Sequence, residues 1–170
     1  LNIMATTEAR LPEDALAPYA QVYDGLEERL QFFPQYYRFL LSICLDLESL
    51  GMPGDTGERL CARVAKMQLS EAELSDLQRA EARRLLAQRG HDAPEADLVA
   101  RLHRFIAQPA TFAVPNKKAA YELTHIVFYL SNYGAEVPEL PEEALTSLEY
   151  AGLLAYLDQD IDLLAEVCVA

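Results

Sequence analysis

The amino-acid sequence predicts an all-α fold, a compact bundle or array of seven to eight helices arranged as helical hairpins. Apolar residues recur at helical spacing along nearly the whole chain. No segment sustains the alternation of apolar and polar residues that is typical of a half-buried strand. Glycines and prolines divide the chain, and most of the segments between them carry a recognisable helix start or stop.

The first two predicted helices meet at a proline. One helix is expected over about residues 12–31, with a possible break at Pro18, and the pair Phe33-Pro34 ends it. The second helix, residues 34–50, has proline in its first turn and Gly51 at the position of a left-handed cap. Because it is apolar on most sides, we expect it to lie at the centre of the fold.

A turn at residues 52–55 separates the second helix from two more. The third helix is short and is marked by apolar residues at helical spacing. The fourth runs from Ser70, which forms a predicted capping box with Glu73, to Gly90. The apolar markers of the third helix are Leu60, Val64 and Met67.

Caps and prolines define the helices of the second half. Pro94 stands where a first turn begins, and residues 109–115, with a proline at each end, predict an extended connection. Asn116 and Asp160 are predicted N-caps, and Gly134 ends a helix. These signals predict helices over about residues 94–108, 117–132, 141–157 and 161–169.

The length and composition of the chain favour one domain. A chain of 170 residues, 51% of them hydrophobic, can bury an ordinary core, so we expect a single helical domain over residues 1–170. Residues 1–11 are expected to be disordered or derived from a tag. The apolar end, residues 168–170, predicts packing on the body or on a partner, or else a fragment of a larger helical array.

Charge and hydropathy exclude several classes of function. The 14 basic and 27 acidic residues give a net charge of −13, which repels nucleic acid and anionic lipid. The sequence has no run of 18 or more apolar residues for a membrane span, and its start lacks the features of a signal peptide. We therefore expect a soluble cytoplasmic protein that binds no nucleic acid and does not span a membrane.

Three cysteines, Cys44, Cys61 and Cys168, lie far apart among apolar neighbours. They form no CxxC pair and no cluster with histidine at zinc spacing. We interpret all three as reduced thiols in the core.

The predicted helix over residues 117–132 carries polar groups among apolar ones. At 3.6 residues per turn, one stripe of this helix contains Tyr121, His125, either Phe128 or Tyr129, and Asn132. The other sides are apolar, so the stripe is expected to be partly buried and to need hydrogen-bond partners. One interpretation is an internal hydrogen-bond network, and the other is a surface that binds a ligand.

Two carboxylates near the end of the chain strengthen the functional interpretation. Asp162 and Glu166 are four residues apart, on one face of the last predicted helix. If that helix packs against the helix of His125, the three side chains make a set suited to iron, manganese or zinc, or to proton transfer without metal. In the alternative, Asp160 is a cap, Asp162 occupies a favourable first turn, and Glu166 lies in solvent.

The two segments resemble a pattern found in uncharacterised bacterial helical proteins, some of them associated with biosynthetic gene clusters. Residues 121–134 read YELTHIVFYLSNYG and residues 160–166 read DIDLLAE, similar to THxxFYLTDFG followed by DxDLxxE. The resemblance implies an α/α-toroid-like architecture of helical hairpins and a functional surface, without a reaction. It places His125, Asp162 and Glu166 on polar positions of the pattern, while Asn132 replaces an aspartate that could serve as an anionic ligand.

A second notable feature is a concentration of seven aromatic residues between positions 19 and 39. Such a run favours core or interface packing, and the alternative is a pocket for a flat or lipid-like ligand or for a partner helix. Its members are Tyr19, Tyr23, Phe32, Phe33, Tyr36, Tyr37 and Phe39.

These patterns lead to three hypotheses about function. The first is a protein that binds a small molecule or a protein partner in an inter-helical pocket, through Tyr121, His125, Tyr129, Asn132 and Asp162. The second is a metal-dependent or acid/base enzyme in which His125 and Glu166 are catalytic and His125, Asp162 and Glu166 hold a divalent transition metal. The third is a structural subunit of a homo-oligomer. Phosphate-binding glycine loops and hydrolase motifs are absent from the sequence.

Overall fold

A computed structural model describes residues 1–12, 14–91 and 95–170, and this part of the chain is all-α with no strand. Eight of its helices, α3 to α7 and α9 to α11, are at least seven residues long, which confirms the predicted fold class and helix number. The helices are α1 (Asn2–Thr6), α2 (Ala20–Asp24), α3 (Leu26–Phe32), α4 (Tyr37–Ser49), α5 (Thr56–Lys66), α6 (Asp76–Ala87), α7 (Leu98–Ile106), α8 (Pro109–Phe112), α9 (Lys117–Leu130), α10 (Glu143–Leu157) and α11 (Ile161–Val169).

The chain divides into two compact units, residues 1–94 and 95–170. The single domain that the length favours stays a prediction. In the first unit, α4 contacts α1, α3, α5 and α6, so the helix expected to be central is central. Its apolar side chains Leu41, Leu45 and Leu47 are buried in the core of that unit.

The second unit is arranged around α10, which contacts α7, α8, α9 and α11. The buried face of α10 consists mainly of small side chains, among them Ala144, Ser147 and Ala151, and small side chains let neighbouring helices approach closely. Ser147 Oγ donates a hydrogen bond to the carbonyl of Ile106 at 2.6 Å. This packing fixes the helices that carry the candidate site.

Several predicted helix boundaries are wrong. The first predicted helix is interrupted twice: a 3₁₀ turn at Ala17–Tyr19 lies where a break at Pro18 was considered, whereas the break at Gly25, between α2 and α3, was not expected. The predicted start at Ser70 is wrong because α6 begins at Asp76. The Glu73 carboxylate that was expected to complete a capping box instead accepts a hydrogen bond from Arg38 Nε at 2.8 Å.

In the second half, the predicted extended connection contains a short helix. Pro109 occupies the first position of α8, and the buried ring of Phe112 packs edge-on against Phe105, which gives this turn an apolar anchor. The predicted helix start at Pro94 lies outside the described residues, and the helix that follows is described from Leu98.

The ends of the chain also differ from expectation. Residues 2–6, in the segment expected to be disordered, form α1, whose Asn2 Nδ2 donates to Asp46 Oδ1 of α4 at 3.5 Å. Cys44 and Cys61 are buried as predicted, but Cys168 is exposed, which corrects its placement in the core. None of the helices in the described ranges combines the length and the apolar character that crossing a membrane requires.

Candidate functional site

The candidate site lies where α9 and α11 run side by side. Asn116 Oδ1 accepts from the backbone N–H of Ala119 at 3.1 Å, and Asp160 Oδ1 accepts from that of Leu163 at 3.2 Å. Both predicted N-caps are thereby confirmed. Lys117 Nζ lies 2.8 Å from Asp160 Oδ2, so an ion pair joins the starts of the two helices.

Two hydroxyl groups of α9 reach the carboxylates of α11. Tyr121 Oη donates to Asp162 Oδ2 at 2.9 Å, and Thr124 Oγ1 donates to Glu166 Oε2 at 2.7 Å. Because these pairs are separated by nearly the same number of residues, the helices run parallel with their first turns aligned. The packing that the sequence hypothesis assumed between these helices is therefore present.

His125 lies between its own helix and Glu166. Its Nδ1 is 2.7 Å from the carbonyl oxygen of Tyr121 and 3.7 Å from Glu166 Oε2. Because a carbonyl oxygen can only accept, the short contact places a proton on Nδ1. The side chain is 33% exposed, and no described residue forms a hydrogen bond with Nε2.

Aromatic rings surround this imidazole. The ring centroids of Phe128 and Tyr129 lie 6.0 Å and 5.9 Å from that of His125, and the Tyr121 ring lies 6.5 Å away. Tyr133 stacks on Phe128, with 5.8 Å between centroids and 16° between ring planes. We call Tyr121, His125, Phe128, Tyr129 and Tyr133 the aromatic cluster.

The predicted stripe does not continue along the helix to Asn132. α9 ends at Leu130, and both Asn132 and Tyr133 adopt left-handed backbone, with φ of 46° and 55°. Asparagine tolerates this conformation, whereas tyrosine adopts it at a cost of about 1 kcal/mol. The chain turns here, and the turn brings Tyr133 back onto Phe128.

Sequence reasoning missed three contributors to the site. Thr124, which is fully buried, is a polar residue on the apolar side of α9, and it matches the threonine of the THxxFYL pattern; these two signals could have identified it. Lys117 carries no signal in the sequence beyond its place at the start of a predicted helix. Tyr133 lies beyond the helix, where helical periodicity does not apply.

Hydrogen bonds and ion pairs between α9 and α11 shift the pKa values of groups at the site. The hydrogen bond to Asp162 raises the pKa of Tyr121 to about 12, so its hydroxyl remains a donor at neutral pH. Lys117 lowers the pKa of Asp160. Lys118 Nζ lies 3.8 Å from Glu122 Oε1. Asp162 and Glu166, by contrast, have no lysine or arginine partner among the described residues.

The residues predicted to hold a metal are engaged separately. Asp162 accepts the Tyr121 hydroxyl, while Glu166 accepts the Thr124 hydroxyl and approaches His125. In the part of the chain that the structure describes, no group of three or more His, Cys, Asp or Glu side chains is placed to hold a metal ion. The metal set of His125, Asp162 and Glu166 stays a prediction without support from this geometry.

Comparison with known proteins identifies a family but no activity. No curated protein matches the chain. No solved structure matches it either. A family model described as "Domain of unknown function (DUF6902)" matches residues 1–170, the whole sequence, and the chain therefore belongs to that family.

Proposed function

We propose that the α9–α11 surface binds an organic cation, an ammonium or guanidinium group carried by a small molecule or by a partner protein. The observation that carries this function is the pair of carboxylates, Asp162 and Glu166, beside the half-exposed aromatic cluster. Their hydrogen-bond donors are hydroxyl groups, which orient the carboxylates without neutralising them, and His125 Nδ1, which lies 3.7 Å from Glu166, faces the Tyr121 carbonyl. Two negative charges therefore lie beside ring faces that attract cations.

The surrounding charges favour the same ligand class. The nearby lysines, Lys117 and Lys118, are paired with Asp160 and Glu122, so they leave the two carboxylates of α11 available. The net charge of −13 also favours approach of cations over anions. His125 adds a ring nitrogen, Nε2, that is open to a polar group of the ligand.

An NMR titration tests this function with matched small probes. The full chain, labelled with ¹⁵N and with ¹³C in its aromatic rings, is titrated with butylammonium, butylguanidinium, butyrate and butanol. We expect the two cations, and neither butyrate nor butanol, to shift the signals of His125, Phe128 and Tyr129. Equal shifts with butyrate, or no shift with either cation, would contradict the proposal.

Variants identify the site, and peptides identify the source of the cation. Glu166→Gln and Asp162→Asn should each weaken cation binding two- to fivefold, as expected for loss of one partly exposed charge of roughly 0.3–1 kcal/mol. Glu149→Gln, an exposed acid on α10, makes the same charge change elsewhere and should leave binding unchanged. Tighter binding of Ac-Ala-Lys-Ala-NH₂ or Ac-Ala-Arg-Ala-NH₂ than of the free cations would favour a protein partner.

A second candidate function, proton transfer at His125, rests on the orientation of the imidazole. Nδ1 is held by the Tyr121 carbonyl with Glu166 nearby, and Nε2 is open, as a general acid or base requires. Hydrolysis of p-nitrophenyl acetate by the wild type, lost in His125→Ala and retained in His103→Ala, would support it. The metal-dependent form of this candidate requires stoichiometric iron, manganese or zinc that is lost in His125→Ala and in Glu166→Gln.

A further inference from the structure

The corner between α3 and α4 forms a hollow with aromatic walls. Phe33 leaves the helical conformation, with φ of −125° and ψ of 65°, and a 3₁₀ turn over Pro34–Tyr36 leads into α4. The rings of Phe33, Tyr36 and Phe39 therefore face solvent, Phe39 being 65% exposed, while Leu40 is buried. These residues and Arg29 line an open hollow of about 630 Å³.

The aromatic residues that the sequence concentrates before and within α4 separate into buried and exposed groups in the structure. Tyr23 and Tyr37 are buried and belong to the core, as the packing interpretation expects. Phe33, Tyr36 and Phe39 are exposed and belong to the pocket interpretation. Phe33 packs edge-on against Tyr36 with 6.1 Å between ring centroids, which gives one wall of the hollow a defined shape.

Arg29 supplies the charge of the hollow. It lies in the last turn of α3, and its guanidinium has no ion pair or side-chain hydrogen bond with any described residue. In a chain with 27 acidic residues, an exposed arginine without a carboxylate partner that lines an aromatic hollow is chemically complementary to an anion. Glu28 does not line this hollow; it lines an adjoining one, to which Arg29 and Phe33 also contribute.

We propose that this hollow binds a small-molecule carboxylate with an apolar body, the carboxylate pairing with Arg29 and the body lying against Phe33, Tyr36 and Phe39. The source of the carboxylate is an aromatic acid or a fatty acid. Both share the same recognition chemistry, a bidentate guanidinium–carboxylate pair beside an apolar wall. This site is independent of the cation site on α9 and α11.

The test compares each acid with its uncharged amide. The ¹⁵N-labelled full chain is titrated with 2-naphthoate, 2-naphthamide, decanoate and decanamide. We expect at least one acid to shift the Arg29 Nε–H signal and the amide signals of Phe33 and Phe39, with an affinity about tenfold above that of its amide. Preference for 2-naphthoate or for decanoate identifies the aromatic or the aliphatic source.

Variants separate charge recognition from apolar adsorption. Arg29→Gln should weaken binding of the preferred acid about tenfold, and Arg29→Lys should restore part of it. Arg63→Gln removes the same charge from an exposed position outside the hollow and should leave the affinity unchanged. Equal affinities of acid and amide, equal affinities of wild type and Arg29→Gln, or no binding of either acid would overturn the proposal.

Sedimentation equilibrium tests whether a second copy of the chain, rather than a small molecule, occupies this hollow. If a second copy of the chain covers this hollow, the protein is a dimer that Phe39→Ser dissociates, and that result also overturns the ligand proposal. A mass that Phe39→Ser leaves unchanged, together with loss of acid binding in that variant, supports it.

Discussion

At the scale of single residues, Glu48 shows how a carboxylate is retained inside the first unit. Its side chain is 8% exposed and accepts from Tyr23 Oη at 2.6 Å, from the N–H of Gly57 at 2.7 Å and from Arg89 Nη2 at 2.8 Å. Burial alone raises the pKa of Glu48, but these donors outweigh burial and lower it. The charged form is therefore part of the folded structure.

Gly57→Ala should destabilise the protein by roughly 1–3 kcal/mol. A methyl group at this position would lie 2.5 Å from Glu48 Oε2 and 3.0 Å from Leu45 Cδ2, so the carboxylate must move away from its donors. Urea unfolding followed by circular dichroism measures the loss. Gly25→Ala is the matched control, because the nearest atoms to its added methyl lie 3.5 Å away. A Gly57→Ala protein as stable as Gly25→Ala would contradict the expected clash.

Glu48→Gln should make the free energy of unfolding depend less strongly on pH at acidic pH. Because the folded pKa of Glu48 lies below the ordinary value of 4.5, its charged form stabilises the fold at neutral pH. That contribution is lost as pH falls through the folded pKa. The wild type should be the more stable protein at pH 7, and the difference should shrink as pH falls below 4.5. Urea unfolding at a series of pH values measures it, and a constant difference across the series would rule out this linkage.

At the scale of helices and turns, the sequence correctly predicted features that depend only on neighbouring residues. Asn116 and Asp160 act on backbone groups three residues away, so the sequence alone identifies them as caps. The expected capping box at Ser70 does not form: α6 begins at Asp76, and the Glu73 carboxylate accepts from Arg38, which is distant in sequence. Helix boundaries that depend on tertiary contacts cannot be read from a window of neighbouring residues.

The same distinction applies to the candidate site. Periodicity predicted Tyr121 and His125 on one face of α9, and spacing predicted Asp162 and Glu166 on one face of α11. Both carboxylates contact α9, but each accepts from a different hydroxyl group. Thr124 was missed because its role depends on Glu166, which the sequence does not show to be a neighbour. Asn132 was placed on the helical stripe because periodicity does not reveal the left-handed turn that ends α9.

Asn116→Ala should lower stability by about 1 kcal/mol, because the Ala119 N–H loses its acceptor at the start of the helix that carries the aromatic cluster. Asn116→Asp retains an acceptor and is the matched control. Urea unfolding measures both variants. If Asn116→Asp destabilises as much as Asn116→Ala, the side chain acts here by some means other than capping.

At the scale of the whole molecule, the two proposed sites have opposite character and lie in different units. Asp162 and Glu166 place excess negative charge beside rings in the second unit, whereas Arg29 places a positive charge beside rings in the first. Each site combines an apolar surface with a single sign of charge, which is a common basis of selectivity for charged organic ligands. Homo-oligomer formation stays a prediction, and sedimentation equilibrium tests it directly.

The three cysteines give a chemical measure of how the chain opens. Burial raises the pKa of Cys44 to about 12 and that of Cys61 to about 11, and both thiols are inaccessible in the folded first unit, whereas Cys168 on α11 is exposed. Because the exposed thiolate is the form that reacts, iodoacetamide at pH 8 should modify Cys168 rapidly. It should modify the other two only when the first unit unfolds.

Mass spectrometry of alkylated peptides over time measures this difference. We expect one fast site in the wild type and none in Cys168→Ser. Cys44 and Cys61 should react slowly and at equal rates, because both belong to one core cluster that opens cooperatively. Denaturant should accelerate the two slow reactions together. Fast modification of either buried thiol in native buffer would show that the core of the first unit opens locally, without unfolding of the whole unit.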